Sequence, residues 1–514
     1  MLPSGRVRAA LSLLYLVARL RGLSLLPIFL DETLHVRWSL LIAQGDKPWD
    51  ATWKWGRALT IWLGALVSPW ASDLLRANRL VSVAIGLGTL LAAVELARRL
   101  YGQRAALLAG LFYVFCPFTL FYDRMALTEA GLSALTALAL LLAVRIMESG
   151  RPRHAVLCGL VLALAVFVKA IGVLILPIPL LAALVLGGLR GLRERGSALA
   201  LAYAVGIPPT AWALHRFVAT ENAQHMAQLF TAGGGALATR LVAALAEGSA
   251  WLWTWWTPPL VLLGLAGALL GLWSRDRKSL LLALLAAYPL AAFSAVLTWR
   301  MPRYLLPASV PLLVLAAATL DRLLLWIGPW LASPRTGVRE GLTAAATVLV
   351  LLPSMQVDRA LWTDPPRAAI PEPDRFQYVF GWPSGYGVRD TERLVREELG
   401  RHPEGVTVVV HANRYQNLRV TPLMLGLAFA REPRVRLEDW DFADPSAIPA
   451  FQKWAAAGPT LLVVPRADRN APEPDPSAWA RLATLVARTA KPDGGPCDDV
   501  YRLCAPPGCR QGTP

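Results

Sequence analysis

Apolar residues recur along this chain in blocks near the ~20 residues a helix needs to cross a bilayer. The pattern predicts about 11 spanning segments, near 9–29, 79–97, 104–120, 128–146, 154–169, 170–189, 197–217, 249–273, 279–298, 304–321 and 338–354. Between the first two lies an amphipathic stretch, 31–78, carrying Trp38, Trp49, Trp53, Trp55, Trp62 and Trp70. Tryptophan favours the membrane interface, so this stretch is expected to lie along the outer surface as short helices. From residue 355 the pattern changes: Pro, Asp and Arg become frequent and long apolar runs cease. There 405–410 and 460–464 read as buried strands and Thr391 to Leu399 as a helix with a charged face. The expectation is an α-helical polytopic membrane domain over 1–354 and a small α/β domain outside the membrane over 355–514. Residues 468–478 read as a Pro/Asp-rich loop, and no internal repeat stands out.

Composition supports the membrane reading. The 514 residues are 55% hydrophobic, with mean hydropathy +0.45, more apolar material than one soluble core accommodates. The net charge of +16 does not imply nucleic acid, because the basic residues sit in short clusters between apolar runs. Such clusters orient membrane helices and attract anionic head groups. Alternate loops carry Arg98, Arg99 and Arg104; Arg145, Arg151 and Arg153; Arg190, Arg193 and Arg195; Arg275, Arg277 and Lys278; and Arg322, Arg335 and Arg339. These loops, with Arg6 and Arg8, are expected to be cytoplasmic, which puts the 31–78 loop outside. An odd number of spans places the C-terminal domain outside too. No cleavable leader is evident, and the first apolar segment reads as an anchor. Cys116 and Cys158 read as packing residues. Of Cys497, Cys504 and Cys509, one pair is expected to be bridged in an oxidising compartment.

The most informative residues are the adjacent acids Asp31-Glu32, at the mouth of a membrane-embedded chain where desolvation is costly. Several cations also occupy helix ends on the outward side, where the loop pattern should exclude them: Arg37, Lys54, Arg57, Arg124, Lys169, Arg300 and Arg303. Each alone can snorkel to head groups or pair with a carboxylate. Together with two acids they describe a site for an anionic group at the membrane surface, with phosphate the natural candidate.

These motifs resemble those of GT-C glycosyltransferases, in particular family 39, the dolichyl-phosphate-mannose protein mannosyltransferase and aminoarabinose transferase group. An Asp-Glu pair in the first external loop is matched by Asp31-Glu32, and a Lys-containing amphipathic helix by Lys54-Trp55-Gly56-Arg57-Ala58-Leu59. An Arg followed by an acid is matched by Arg124 and Glu129, a Lys-Gly-like step by Lys169-Ala170-Ile171-Gly172, and an Arg-Tyr-x-x-Pro element by Arg303-Tyr304-Leu305-Leu306-Pro307. Two departures stand out: the family commonly has Asp where Glu129 stands, and its Lys-Pro-Pro is Lys54-Trp55-Gly56 here. The resemblance covers roughly residues 10–320 and implies an inverting displacement at the anomeric carbon of a polyprenyl-phosphate sugar. In it Asp31 is the general base, and Arg124 and Lys54, then Arg57 and Arg303, stabilise the departing phosphate. Glu32 orients the acceptor or a cation. Arg37, His35, Glu129, Lys169, Arg300 and Tyr304 are candidates for support. The bland alternative for Asp31-Glu32 is a pair of acids favoured at a helix N-terminus.

His35, one helical turn after Asp31, could tune the base or hold a metal, but reads foremost as a surface histidine. Some relatives bind a divalent cation near the first loop; no convincing ligand set is evident here. The Trp251-Leu252-Trp253-Thr254-Trp255-Trp256 cluster reads as an interfacial belt rather than a sugar platform, and it lacks the Asp-Tyr-Gly continuation of oligosaccharyltransferase catalytic subunits. The segment 380–390, Phe380 to Asp390, is read equally as a structural turn or as a cover over the active site. The stretch 218–247, with His225 and Gly233-Gly234-Gly235, reads as a flexible outer loop. The expected function is glycosyl transfer from a polyprenyl-phosphate sugar at the outer face of the cytoplasmic membrane, to a protein, glycan or lipid acceptor. The rival is a polytopic transporter or lipid flippase, which would place ionisable residues deep in the spans and show repeat symmetry.

Overall fold

The apolar segments read from hydropathy fall on helices, several of them broken or shorter than the segment. The computed structural model describes residues 4–45, 52, 56–220, 237–296, 300–327, 336–412, 420–442, 444, 446–466, 479 and 481–504. They form two units, one of Met1–Leu25 and Trp38–Pro371, the other of Leu26–Arg37 and Glu372–Pro514. The first unit is built from α1 (Ser4–Leu20), the continuation of α2 (Leu30–Ala43), α3 (Leu59–Val67), α4 (Leu74–Tyr101), α5 (Gln103–Phe115) and α6 (Pro117–Tyr122). It continues with α7 (Glu129–Ser149), α8 (Pro152–Val168), α9 (Ile178–Glu194), α10 (Gly196–Val218), α11 (Leu237–Trp256), α12 (Pro258–Ser274), α13 (Arg277–Val296), α14 (Ser309–Ile327) and α15 (Thr336–Thr363). Among the described residues six helices are long and apolar enough to cross a membrane alone, or up to seven if the bent pair α11–α12 is one span.

Local chemistry sets where these helices begin and bend. The Asp73 carboxylate accepts the Arg76 N–H at 2.9 Å, an N-cap that fixes the start of α4 and is worth about 1 kcal/mol. The expected span 249–273 is broken. α11 and α12 meet at 117°, because Pro258 removes a helical N–H and opens a new helix. Thr257 between them has a positive φ of 61°, costly for a β-branched residue; its hydroxyl lies 2.9 Å from that of Ser354. The first segment is helical only to Leu20; residues 21–26 form turns rather than the tail of a span. The predicted loop 218–247 is shorter than expected: α10 reaches Val218 and α11 starts at Leu237, while His225 and Gly233 to Gly235 lie outside the described residues.

The basic loop residues gather at one end of the helices. Arg8 of α1 (2.5 Å), Arg98 (2.8 Å) and Arg99 (2.7 Å) of α4, and Arg145 of α7 (3.5 Å) all reach the Glu95 carboxylate. Arg104 pairs with Asp321 at 3.1 Å and Arg322 with Asp276 at 2.5 Å. Loops far apart in the chain thus share one side, as their charge implied. Glu129 opens α7, 16 residues before Arg145. At 1.5 Å per residue that is about 24 Å further along the helix, at its opposite end.

The second unit carries a five-stranded sheet ordered β2-β1-β3-β5-β4, with β1 (Val406–His411), β2 (Val435–Trp440), β3 (Thr460–Pro465), β4 (Ala483–Ala490) and β5 (Pro496–Leu503). β1 pairs in parallel with β2 and β3; β5 runs antiparallel to β3 and β4. Both predicted strands are present, and both are buried on two faces. Val406, Val408 and Val410 pack against Val395 and Leu399 of α16 (Val388–Arg401) and Leu425 of α17 (Val420–Ala428). Val409 and Leu462 face the other way, toward Phe451 of α18 (Ala447–Ala457) and Trp479. The alternation explains the uninterrupted valines, since no face of β1 meets solvent. The change of composition at residue 355 does not mark the division between units, because α15 runs on to Thr363 and the second unit resumes at Glu372. Cys504 is disulfide-bonded, while Cys116, Cys158 and Cys497 are free and buried. Cys509 and the whole of the predicted loop 468–478 lie outside the described residues.

Candidate active site

Asp31 and Glu32 occupy the first turn of α2, so the favourable helix-terminus position is realised. Asp31 is partly exposed, whereas Glu32 is fully buried. That difference suits one acid to meet a substrate and the other to hold a fixed position. His35 is not a surface residue: it is only 4% exposed, one turn along from Asp31, on the buried side of the helix. Arg37 is exposed. The helix start is anchored within its own unit. The Leu30 N–H donates to the Pro383 carbonyl at 3.0 Å, and the Phe29 ring lies 4.4 Å from that of Tyr378. The 380–390 segment thus runs through turns to the start of a helix at Val388 and touches the backbone just before the acid pair.

A second group forms around Glu129, the first residue of α7. Lys169, at the end of α8, donates to the Glu129 carboxylate at 2.7 Å. Arg303 reaches the same oxygen at 3.5 Å, and the Thr128 hydroxyl donates to the other oxygen at 3.3 Å. Lys169 also lies 4.5 Å from the centre of the Tyr304 ring, and the Arg303 guanidinium 5.7 Å from it. Arg57 adds to the positive field at Glu129. Its placement follows from backbone pairing: Ala170 N–H donates to Gly56 O at 2.8 Å and Ala58 N–H to Phe167 O at 3.0 Å. Gly56 has φ +59°, and a Cβ there would sit 2.9 Å from Ala170 Cβ. Proline, fixed near −65°, cannot adopt that conformation, which gives the departure from Lys-Pro-Pro a backbone reason. Lys54 lies outside the described residues.

Arg124 keeps different company. It donates to the Gly22 carbonyl, while buried Arg79 donates to the neighbouring Leu23 carbonyl at 2.8 Å. Two buried cations thus hold the turn that ends α1. Burial, with Arg79 and Arg19 nearby, pushes Arg124 down to about 9, so it remains protonated at neutral pH. Asp358 of α15 opposes this charge. It is fully buried, and neither carboxylate oxygen has a hydrogen-bond partner among the described residues. Arg79 and Asp358 escaped the sequence reading because both stood at the edges of predicted spans, where an ionisable residue looks like loop. Arg300 is engaged elsewhere, by Glu247 at 2.7 Å.

The tryptophan cluster is divided between core and surface rather than being a belt throughout. Trp255 and Trp256 are buried; Trp255 stacks on Phe118 at 5.5 Å, and Trp256 donates to the Ser309 hydroxyl at 3.0 Å. Trp251 is half-buried and Trp253 45% exposed, and these two fit an interfacial role. Among the described residues no three His, Cys, Asp or Glu side chains group to hold a metal ion.

Residues 57–212 match the family model described as dolichyl-phosphate-mannose-protein mannosyltransferase, an interval containing Arg57, Arg124, Glu129 and Lys169. The whole chain superposes on ArnT from Cupriavidus metallidurans bound to undecaprenyl phosphate, with TM-score 0.55, 17% identity and 98% of each chain covered. The chain has the GT-C fold. The fold that the motifs imply is thereby borne out, in a multi-pass membrane protein. The oligosaccharyltransferase of Archaeoglobus fulgidus, in complex with zinc and sulfate, shares this GT-C fold at TM-score 0.54 and 14% identity, over 89% of this chain and 68% of that one. The Archaeoglobus fulgidus AglB complex with an inhibitory peptide and a dolichol-phosphate matches at 0.53 and 13%, over 90% and 69%. No curated protein matches the GT-C chain in sequence.

Proposed function

We propose that this chain is an inverting glycosyltransferase that moves a monosaccharide from a polyprenyl phosphate to an acceptor hydroxyl. The acceptor oxygen bonds to the anomeric carbon as its proton passes to Asp31, and the bond to the phosphate oxygen breaks with its electron pair leaving on phosphate. Fixed cations that favour the more negative leaving group lower the barrier. Arg57, Lys169 and Arg303 take that role; Lys54 and Arg124 join them on the motif resemblance alone, Arg124 from its separate place at the Gly22 carbonyl. Glu32 orients, and Glu129 and Tyr304 hold the cations in place. The protein lies in the cytoplasmic membrane with its N-terminus inside and its second unit outside. Its acceptor is a protein, glycan or lipid.

The observation that carries this reading is the buried Glu129 cluster. Ionisable groups at the end of a membrane helix are expensive and mark functional sites, and guanidinium, ammonium and an aromatic ring together suit a phosphate next to a sugar. The end of α7 that holds it is the one remote from the basic loops, as an outward site requires. Also in support, the undecaprenyl-phosphate complex of ArnT and the dolichol-phosphate complex of AglB show that proteins of this fold accept such lipids.

The test is transfer by purified protein from radiolabelled polyprenyl-phosphate monosaccharides, with nucleotide sugars in parallel. Transfer from the lipid donors only is expected. Transport of the lipid across a vesicle membrane without transfer would reject the enzyme in favour of a flippase.

A further inference from the structure

We infer that Lys491 is a positioning residue for the Asp31-Glu32 pair, acting through the turn at 383–386. Lys491 follows β4, at the hairpin into β5, where its N–H donates to the Gly495 carbonyl at 2.7 Å. It is 4% exposed. Its ammonium donates to the carbonyls of Ser384 at 2.6 Å and Tyr386 at 2.7 Å. Burying an ammonium costs desolvation energy that an ordinary surface turn does not incur, and the buried Asp498 carboxylate nearby offsets part of it. The same turn is locked from its other side: the Ser384 hydroxyl donates to the Val379 carbonyl at 2.9 Å.

That turn meets the chain just before α2. Pro383 accepts the Leu30 N–H at 3.0 Å, satisfying one of the orphan donors at a helix start. Gly385 lies so close to residue 28 that a Cβ on it would overlap the Ile28 carbonyl oxygen. A rigid path therefore runs from the β4–β5 hairpin through the Lys491 ammonium and two carbonyls to the backbone of residues 28–30. Asp31 and Glu32 come immediately after. The sheet of the second unit is the rigid body on which the acid pair is set, and Lys491 is the joint.

This inference rests on the reading of Asp31 as general base, and its test separates the two. In full-length protein, Lys491→Met removes the donors at similar volume, and Gly385→Ala pushes on Ile28 without touching the sheet core. Both variants should speed amide hydrogen exchange at 28–33 and leave β1 and β3 unchanged. Both should lower kcat by on the order of 10- to 100-fold, as sub-ångström misplacement of a base does, with the donor KM unchanged. Should Lys491→Met unfold the sheet, Gly385→Ala carries the test alone. Wild-type kcat in Gly385→Ala, or unchanged exchange at 28–33 in a folded variant, overturns the inference. Wild-type transfer by Asp31→Asn would instead sink the base assignment, whatever the exchange data show.

Discussion

Lys169 donates to Glu129 at 2.7 Å, tying the end of α8 to the start of α7 in a buried place. Arg303 shares the acceptor oxygen at 3.5 Å, so one carboxylate organises cations from two distant parts of the chain. Removing one partner of a buried pair leaves the other uncompensated, at a cost of about 3–5 kcal/mol. Glu129→Gln is expected to lower the thermal midpoint in detergent and to weaken donor binding as the cations lose their anchor. Lys169→Met should destabilise by a similar amount, and the double variant by clearly less than the sum. Additive losses would show that the pair does not act as a unit.

Gly56 sets the geometry that brings Arg57 beside Lys169. Its φ of +59° and the 2.9 Å approach to Ala170 make any side chain costly. Gly56→Ala is expected to destabilise by roughly 1–3 kcal/mol and to raise the donor KM, because the backbone pairing that places Arg57 is pushed apart. Steady-state kinetics with a thermal melt check this. A melt and KM equal to wild type would remove Gly56 from the account.

Acid should loosen the second unit through Glu398. Burial alone would raise this carboxyl, but hydrogen bonds from Arg502 and Arg401 override it and hold the group below the usual range. Arg502 grips both oxygens, at 2.8 and 2.6 Å. A carboxyl depressed in the folded state binds fewer protons there than in the unfolded chain. Its stabilisation is therefore present above the ordinary glutamate pKa of about 4.3 and fades as pH falls below it. Between pH 7 and pH 3 the midpoint of the second unit should fall further in wild type than in Glu398→Gln. Parallel slopes would contradict this.

Much of the fold was legible because hydropathy and loop charge act over whole segments. The Glu95 cluster shows how far this goes, since Arg8, Arg98, Arg99 and Arg145 were assigned to one side from charge alone and meet at one carboxylate. Failures came where a local event interrupts an apolar run. Nothing in the apolar pattern of 249–273 distinguishes a straight span from the 117° break at Thr257-Pro258. Trp255 and Trp256 looked interfacial because composition cannot tell a belt from a core. His35 reads as exposed because it shares a short interfacial stretch with Asp31, Glu32 and Arg37, although α2 turns it inward. Motif order and sidedness single out Glu129, Lys169, Arg303 and Tyr304, which the fold brings into one cluster. Arg124 stands out in the sequence as an outward cation, yet it holds the Gly22 carbonyl, a backbone partner that no pattern of side chains announces.

Asp31 as base is tested by single-turnover transfer from a polyprenyl-phosphate monosaccharide, wild type against Asp31→Asn, both shown by thermal melt to be folded. Loss of the base should slow transfer by about 10²- to 10⁴-fold while binding of the lipid donor is retained. Transfer at the wild-type rate by the folded Asp31→Asn protein would contradict the account.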